Sequence, residues 1–227
     1  MPKGRSFELT PRLRDRLAEQ EQRCRSDADR LALHRAFHTR ALEVADDTDD
    51  PYGVVGELRL DVFTTYLRLN WKGAGMAPDD WWQDLCELLV LEPYALTHQR
   101  ETLAFKQLDQ AHADLVERIL LDLSEEHRAV HLDYEADEAL QLVAWAAAAG
   151  RRYDRYPDAA RRLGSDHWMP VVALAESAAA ARRGDLTLEV FRAADQPGWH
   201  RDFLRRRCLE ITGVTLGDPP HPLRAVR

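Results

Sequence analysis

Residues 150–184 read GRRYDRYPDAARRLGSDHWMPVVALAESAAAARRG, and the placing of their glycines decides the fold. A glycine just past a helix end can take the left-handed conformation and satisfy orphan carbonyls without steric cost. The sequence therefore predicts helices ending near Gly150, Gly164, Gly184 and, further on, Gly213. Gly150 to Gly184 and Gly164 to Gly198 are both intervals of 34 residues, and Ala159-Ala160 map onto Ala193-Ala194 at that offset. Small residues at those positions let paired helices approach closely. Two helices per repeating unit at this period predict stacked helical hairpins, solenoid-like in arrangement.

In its period this stretch resembles tetratricopeptide-type hairpin repeats. The Trp–Leu–Gly–Tyr pattern of that family is absent, and its repeat-defining alanine falls on Glu189. The resemblance covers about 70 residues of the chain and implies architecture alone.

The helical pattern continues toward the N-terminus. Leu103, Leu108, Ala111, Leu115, Ile119 and Leu123 mark one long helix, and residues 124–133 carry no clear signal. Pro78 opens a short helix, with Asp79 and Asp80 at its positive end and Trp81, Leu85, Leu88 and Leu89 facing inward until Pro93. Lys72 to Pro78 is a loop. Val55, Leu58, Val62, Tyr66 and Leu69 have helical spacing, although ELRLDVFTTY within them also alternates like a strand. Residues 46–51, DDTDDP, form a loop. Thr10-Pro11 reads as an N-cap followed by the first helical residue, leading into one long helix or two stacked ones. The apolar stripe there is broken, so this segment needs something to lie across. The expected fold is all-α, with an N-terminal arm over 1–51, a central helical region over 52–133 and helical hairpins over 134–227.

Composition narrows the class. A chain of 227 residues can bury a self-sufficient core. Cys24, Cys86 and Cys208 are distant from one another and odd in number, which suits a reducing compartment better than a disulfide framework. The first residues have no apolar core of a secretory signal, and no run nears the roughly 18 apolar residues that cross a bilayer. A cytoplasmic, non-membrane protein is the expectation. Net charge is −8, but the two ends are basic: residues 1–30 hold eight basic and six acidic groups, and residues 196–227 hold six Arg against three acids. An acidic chain without a basic stripe is not a dedicated nucleic-acid binder. Arg outnumbers Lys 28 to 3, which reads as coding bias and favours bidentate ion pairs with carboxylates.

Three groups of residues suggest chemistry. His34 and His38 stand at i,i+4, as do His127 and His131, with His112 as a possible further partner. Two such pairs on antiparallel helices can hold a divalent transition metal. Trp199, Arg201, Arg205, Arg206 and Arg207 combine an aromatic with guanidiniums, a mixture suited to a protein interface or a phosphate. Trp81 and Trp82 are adjacent, so on a helix they point about 100° apart, and both bury only where the helix is covered on two sides; the pair is a candidate partner contact, unless the neighbouring Gly/Pro loop covers it. The acidic loop matches calcium-loop offsets at Asp46, Thr48, Asp50 and Glu57, but Pro51 occupies the sharp-turn glycine position and argues against calcium. Cys86 reads as core, and no GxSxG, GxxxxGK[ST] or strand-coupled GxGxxG is present.

The favoured function is a non-enzymatic interaction or scaffold protein without a cofactor, bound to a protein partner or to itself, with a place in a larger assembly as one form of this. A metal-dependent helical enzyme built on the histidine pairs is the first alternative. A nucleic-acid or phosphate contact through the C-terminal arginines is the second.

Overall fold

A computed structural model of the chain describes residues 6–46, 54–91 and 103–217. Every regular element among them is helical, in two compact units, Met1–Gln107 and Leu108–Arg227. That boundary falls inside the 52–133 region drawn from sequence, because the long helix after it pairs with its own successor in the second unit. No helix among the described residues is long and apolar enough to cross a membrane.

The first unit contains α1 (Ser6–Glu21), α2 (Asp27–Asp46), α3 (Val54–Arg68) and α4 (Pro78–Val90), with a 3₁₀ turn at Phe105–Gln107. Thr10-Pro11 does not open a helix: α1 starts at Ser6 and carries Pro11 inside it. The N-terminal arm is two helices, and the break has a local cause. Ser26 Oγ accepts the Asp29 amide, while Asp29 Oδ2 accepts the amides of Arg25 and Ser26. This reciprocal cap satisfies the orphan donors at the start of α2. The surface expected to receive the weak N-terminal helix is α3, against which α1 and α2 both pack.

The core of this unit is a ladder of rings. His38 stacks on Phe63 at 4.7 Å, Phe63 on Tyr66 at 6.3 Å, Tyr66 on Trp81 at 5.2 Å, and Trp81 on Trp71 at 5.7 Å. Residues 54–68 are helical despite their β-rich composition, because Val55, Leu58, Val62 and Tyr66 at helical spacing are all buried. Helix α4 is covered on nearly all sides. Trp81 and Trp82 are both buried, Trp82 to 0% exposure, so of the two readings the covered pair holds and neither indole is a partner contact.

The second unit contains α5 (Gln110–Ala129), α6 (Asp133–Ala149), α7 (Tyr156–Leu163), α8 (Trp168–Ala180), α9 (Gly184–Ala194) and α10 (Arg201–Thr212). Helix α5 begins later than the expected Leu103, because Asp109 caps it by accepting the His112 amide. Helices α5 and α6 form an antiparallel hairpin, tied by Ser124 Oγ donating to the Ala136 carbonyl at 2.9 Å. Beyond it, each helix packs on its successor, α6 also on α8, α7 on α9, and α8 on α10. The shared core is rich in alanine, with Tyr156, Leu163, Leu174, Phe191 and Leu204 among its larger members. Burial of each larger apolar side chain contributes roughly 1.5–3 kcal/mol.

The adjacent packing suits hairpins, but the 34-residue period does not map equivalent positions. Gly150 caps α6 with φ −75°, whereas Gly184 is the first residue of α9. Gly164 and Gly213 do take positive φ, at 62° and 72°. At three other helix ends the left-handed residue is not glycine: His131, Arg151 and Arg182 have φ of 63°, 54° and 59°. Each closes a two-bond cap. For α5, the His131 amide donates to Arg128 O at 3.1 Å and the Leu132 amide to His127 O at 2.9 Å. A side chain in this conformation costs about 1 kcal/mol relative to glycine. His131→Gly should therefore raise stability by about 0.5–1 kcal/mol in urea unfolding. A loss of stability would contradict the assignment of His131 as a helix-end residue.

Candidate interaction site

The loop joining α9 to α10, residues 195–200, is held at every turn. Asp195 closes α9, and its carboxylate receives two guanidinium forks. Arg201 donates Nε to Oδ1 at 2.7 Å and Nη2 to Oδ2 at 3.3 Å; Arg205 donates the same pair at 2.9 and 3.0 Å. Such planar two-point pairs fix orientation as well as charge. The side chain of Asp195 is only 11% exposed. Burial pushes its carboxyl up, yet the Arg205 and Arg201 forks outweigh this and hold it below the usual carboxylate range.

The rest of the loop locks onto the turn after α7. Gln196 donates to the Arg161 carbonyl at 2.7 Å, closing the end of α7. Gly198 lies so close to residues 165–166 that a Cβ there would overlap Ser165 Oγ and stand 2.6 Å from Asp166 Oδ1. The Trp199 amide donates to Asp166 Oδ1 at 2.7 Å. Behind the loop, Trp168 packs edge-on against Phe203 at 4.5 Å, with His200 at 6.2 Å. The indole of Trp199 is then left 94% exposed, the most exposed large apolar side chain among the described residues.

The other predicted residues are placed as follows. Arg207 bonds Glu176 at 2.7 Å and Glu210 at 2.6 Å. Arg201, Arg205 and Arg207 thus serve carboxylates of the chain itself, and Arg206 alone of the four is exposed without a recorded ion pair among the described residues. His34 and His38 lie buried on α2. His34 Nε2 meets Glu21 Oε1 at 2.6 Å, and His38 takes part in the ring ladder. His127 and His131 do not share a helix face, because α5 ends at Ala129 and His131 is left-handed. They belong to the second unit, and His34 and His38 to the first. His112 pairs with Asp109 at 2.6 Å. Among the described residues no group of three or more His, Cys, Asp or Glu side chains is placed to hold a metal ion. Burial raises the Cys86 thiol far above its ordinary value, with Glu87 adding to the shift, as suits a core cysteine. Thr48, Asp50 and Pro51 of the acidic loop lie outside the described residues, as does Pro93.

Reading the sequence did not find Asp195, Asp166 or Ser165. Asp195 is 6 and 10 residues from its arginines, spacings that match no single helix face. Nor did it find the apolar turn after α5, where Val130, Leu132 and Tyr134 are exposed. A polar trio in the first unit was likewise unforeseen: buried Tyr66 donates its hydroxyl to Asp84 Oδ2 at 2.5 Å, and Arg35, at the surface, donates Nε to Asp84 Oδ1. Burial, followed by Asp84, drives the Tyr66 phenol well above its ordinary value.

Compared with protein-family models, curated proteins and solved structures, the chain matches none.

Two outcomes follow. Gly198→Ala should cost about 1–2 kcal/mol of stability in urea unfolding, because the Ser165 hydroxyl must turn aside and the Asp166 carboxylate must shift from the Trp199 amide. Asp195→Asn should cost about 2 kcal/mol at neutral pH. The folded carboxyl titrates below its unfolded value of about 4, so this stabilisation is present above that value and is lost as pH falls through the lower folded one. Urea unfolding over an acid pH series checks this. A wild-type-to-variant difference that stays constant in acid would contradict the clamp.

Proposed function

We propose that the chain is a non-enzymatic interaction protein and that the Trp199 loop is its contact point. One observation carries the reading: an almost fully exposed indole stands on a loop whose neighbours are fixed by forks, caps and a close backbone approach. Exposing an indole to water is unfavourable, and a tryptophan that would be buried on binding is the commonest kind of interface anchor. A loop already ordered loses little conformational freedom on association. The arginines around it support the loop through Asp195, which favours a protein partner over a phosphate as the reading of this cluster.

Trp199→Ala should leave stability within about 0.5 kcal/mol of wild type, as expected of an exposed side chain. It should also abolish retention of at least one protein that the immobilised wild-type chain holds from cell extract. Identical sets of retained proteins for the two chains would overturn the reading.

A further inference from the structure

The first unit holds a cavity of about 320 Å³ between α1, α2 and α3. Ligand cavities run from roughly 300 to 1,000 Å³, so this one suits a small molecule. Leu17 of α1 and Leu58 and Val62 of α3 give it apolar walls. Its polar lining is Glu21 of α1, His34 of α2 and, on α3, Asp61 and Thr65, with Arg14 of α1 beside them.

That lining has hydrogen-bond acceptors to spare. Glu21 Oε1 accepts from His34 Nε2 at 2.6 Å, and Oε2 has no partner among the described residues. A carboxylate only accepts, so Nε2 carries the proton, and in the neutral ring Nδ1 is then an acceptor. Nδ1 has no hydrogen-bond partner, although His34 is only 2% exposed. A buried polar atom in that state calls for an explanation. Asp61 gives one carboxylate oxygen to Arg14 at 2.8 Å and keeps the other. The Thr65 hydroxyl is already spent on the Asp61 carbonyl at 2.9 Å. A ligand here must therefore bring donors.

Charge points the same way. Two carboxylates line the cavity against one guanidinium, and Arg14 is half exposed and paired. Glu21 is also the last residue of α1, whose final turn holds no basic residue. The negative end of that helix dipole thus adds to the carboxylate and favours a cation. An anion would be repelled. A metal ion would lack ligands, since among the described residues no three His, Cys, Asp or Glu side chains are placed for one.

We infer that this cavity binds a small organic ammonium ion, with its N–H groups on Glu21 and its carbon body against Leu17, Leu58 and Val62. The site lies in the first unit and is independent of the Trp199 loop in the second.

Isothermal titration of the full chain with benzylammonium, benzyl alcohol and benzoate tests this, because the three share a ring and differ in charge. Benzylammonium should bind one site at millimolar concentration, about tenfold or more tighter than either of the others. Glu21→Gln keeps a carbonyl for His34 and removes the charge, so it should weaken benzylammonium by about tenfold or more. Ala18 is exposed on α1 and lines the cavity, so Ala18→Phe fills its opening with the His34–Glu21 pair left in place, and it should abolish binding. Far-UV circular dichroism equal to wild type checks that each variant keeps its helices. No binding of benzylammonium to wild type overturns the proposal. Equal affinity for benzoate or benzyl alcohol also overturns it, because the site would then be indifferent to charge. So does unchanged binding to either variant, which would put the ion elsewhere on this acidic chain.

Discussion

The two-fork clamp on Asp195 is the interaction on which the exposed site depends. A carboxylate that is 11% exposed is costly to leave unpaired, so the start of α10 must lie where Arg201 and Arg205 both reach it. That fixes the angle at which the chain leaves α9. It also brings residues 196–199 against the turn after α7, where Gln196 closes a helix end and Gly198 fits because it has no side chain. Trp199 points outward as a consequence of those constraints. Without the clamp, the indole would be one more apolar group free to collapse onto the surface.

The two units are stabilised differently. The first depends on large rings in contact, where offset and tilted pairs add to area burial, and on one polar trio in which exposed Arg35 reaches the buried Asp84 and Tyr66. The second depends on many small residues that let helices lie close, with little area buried per residue. Its helix ends are set by caps and not by glycine alone. The three left-handed non-glycine residues show that cooperative hydrogen bonding at a helix end can outweigh a local backbone cost.

Helix content and most helix cores were legible in the sequence because they follow from spacing. Val55 to Tyr66 illustrates this: composition pointed both ways, and the periodicity of the buried face decided. Helix ends were less legible. Gly150 and Gly184 look alike in sequence, yet one ends a helix and the other begins one, because the cap bonds formed one residue beyond the first glycine and the chain turned before the second. The 34-residue period rested on that likeness. At the site, Trp199 and its arginines stood out by residue type. Their division of labour did not, since pairing with Asp195 is made by a loop and has no periodic signature. The histidine pairs show the opposite error: a helical spacing counts only while the helix continues, and α5 stops between His127 and His131.

The central claim is that the Trp199 loop is ordered before any partner arrives. Hydrogen exchange of the Trp199 backbone amide in the isolated chain tests it most directly, since that amide donates to Asp166 Oδ1. Protection comparable to that of the Leu204 amide, in the first turn of α10, is the predicted result. Exchange at the rate of an unprotected peptide would contradict the account.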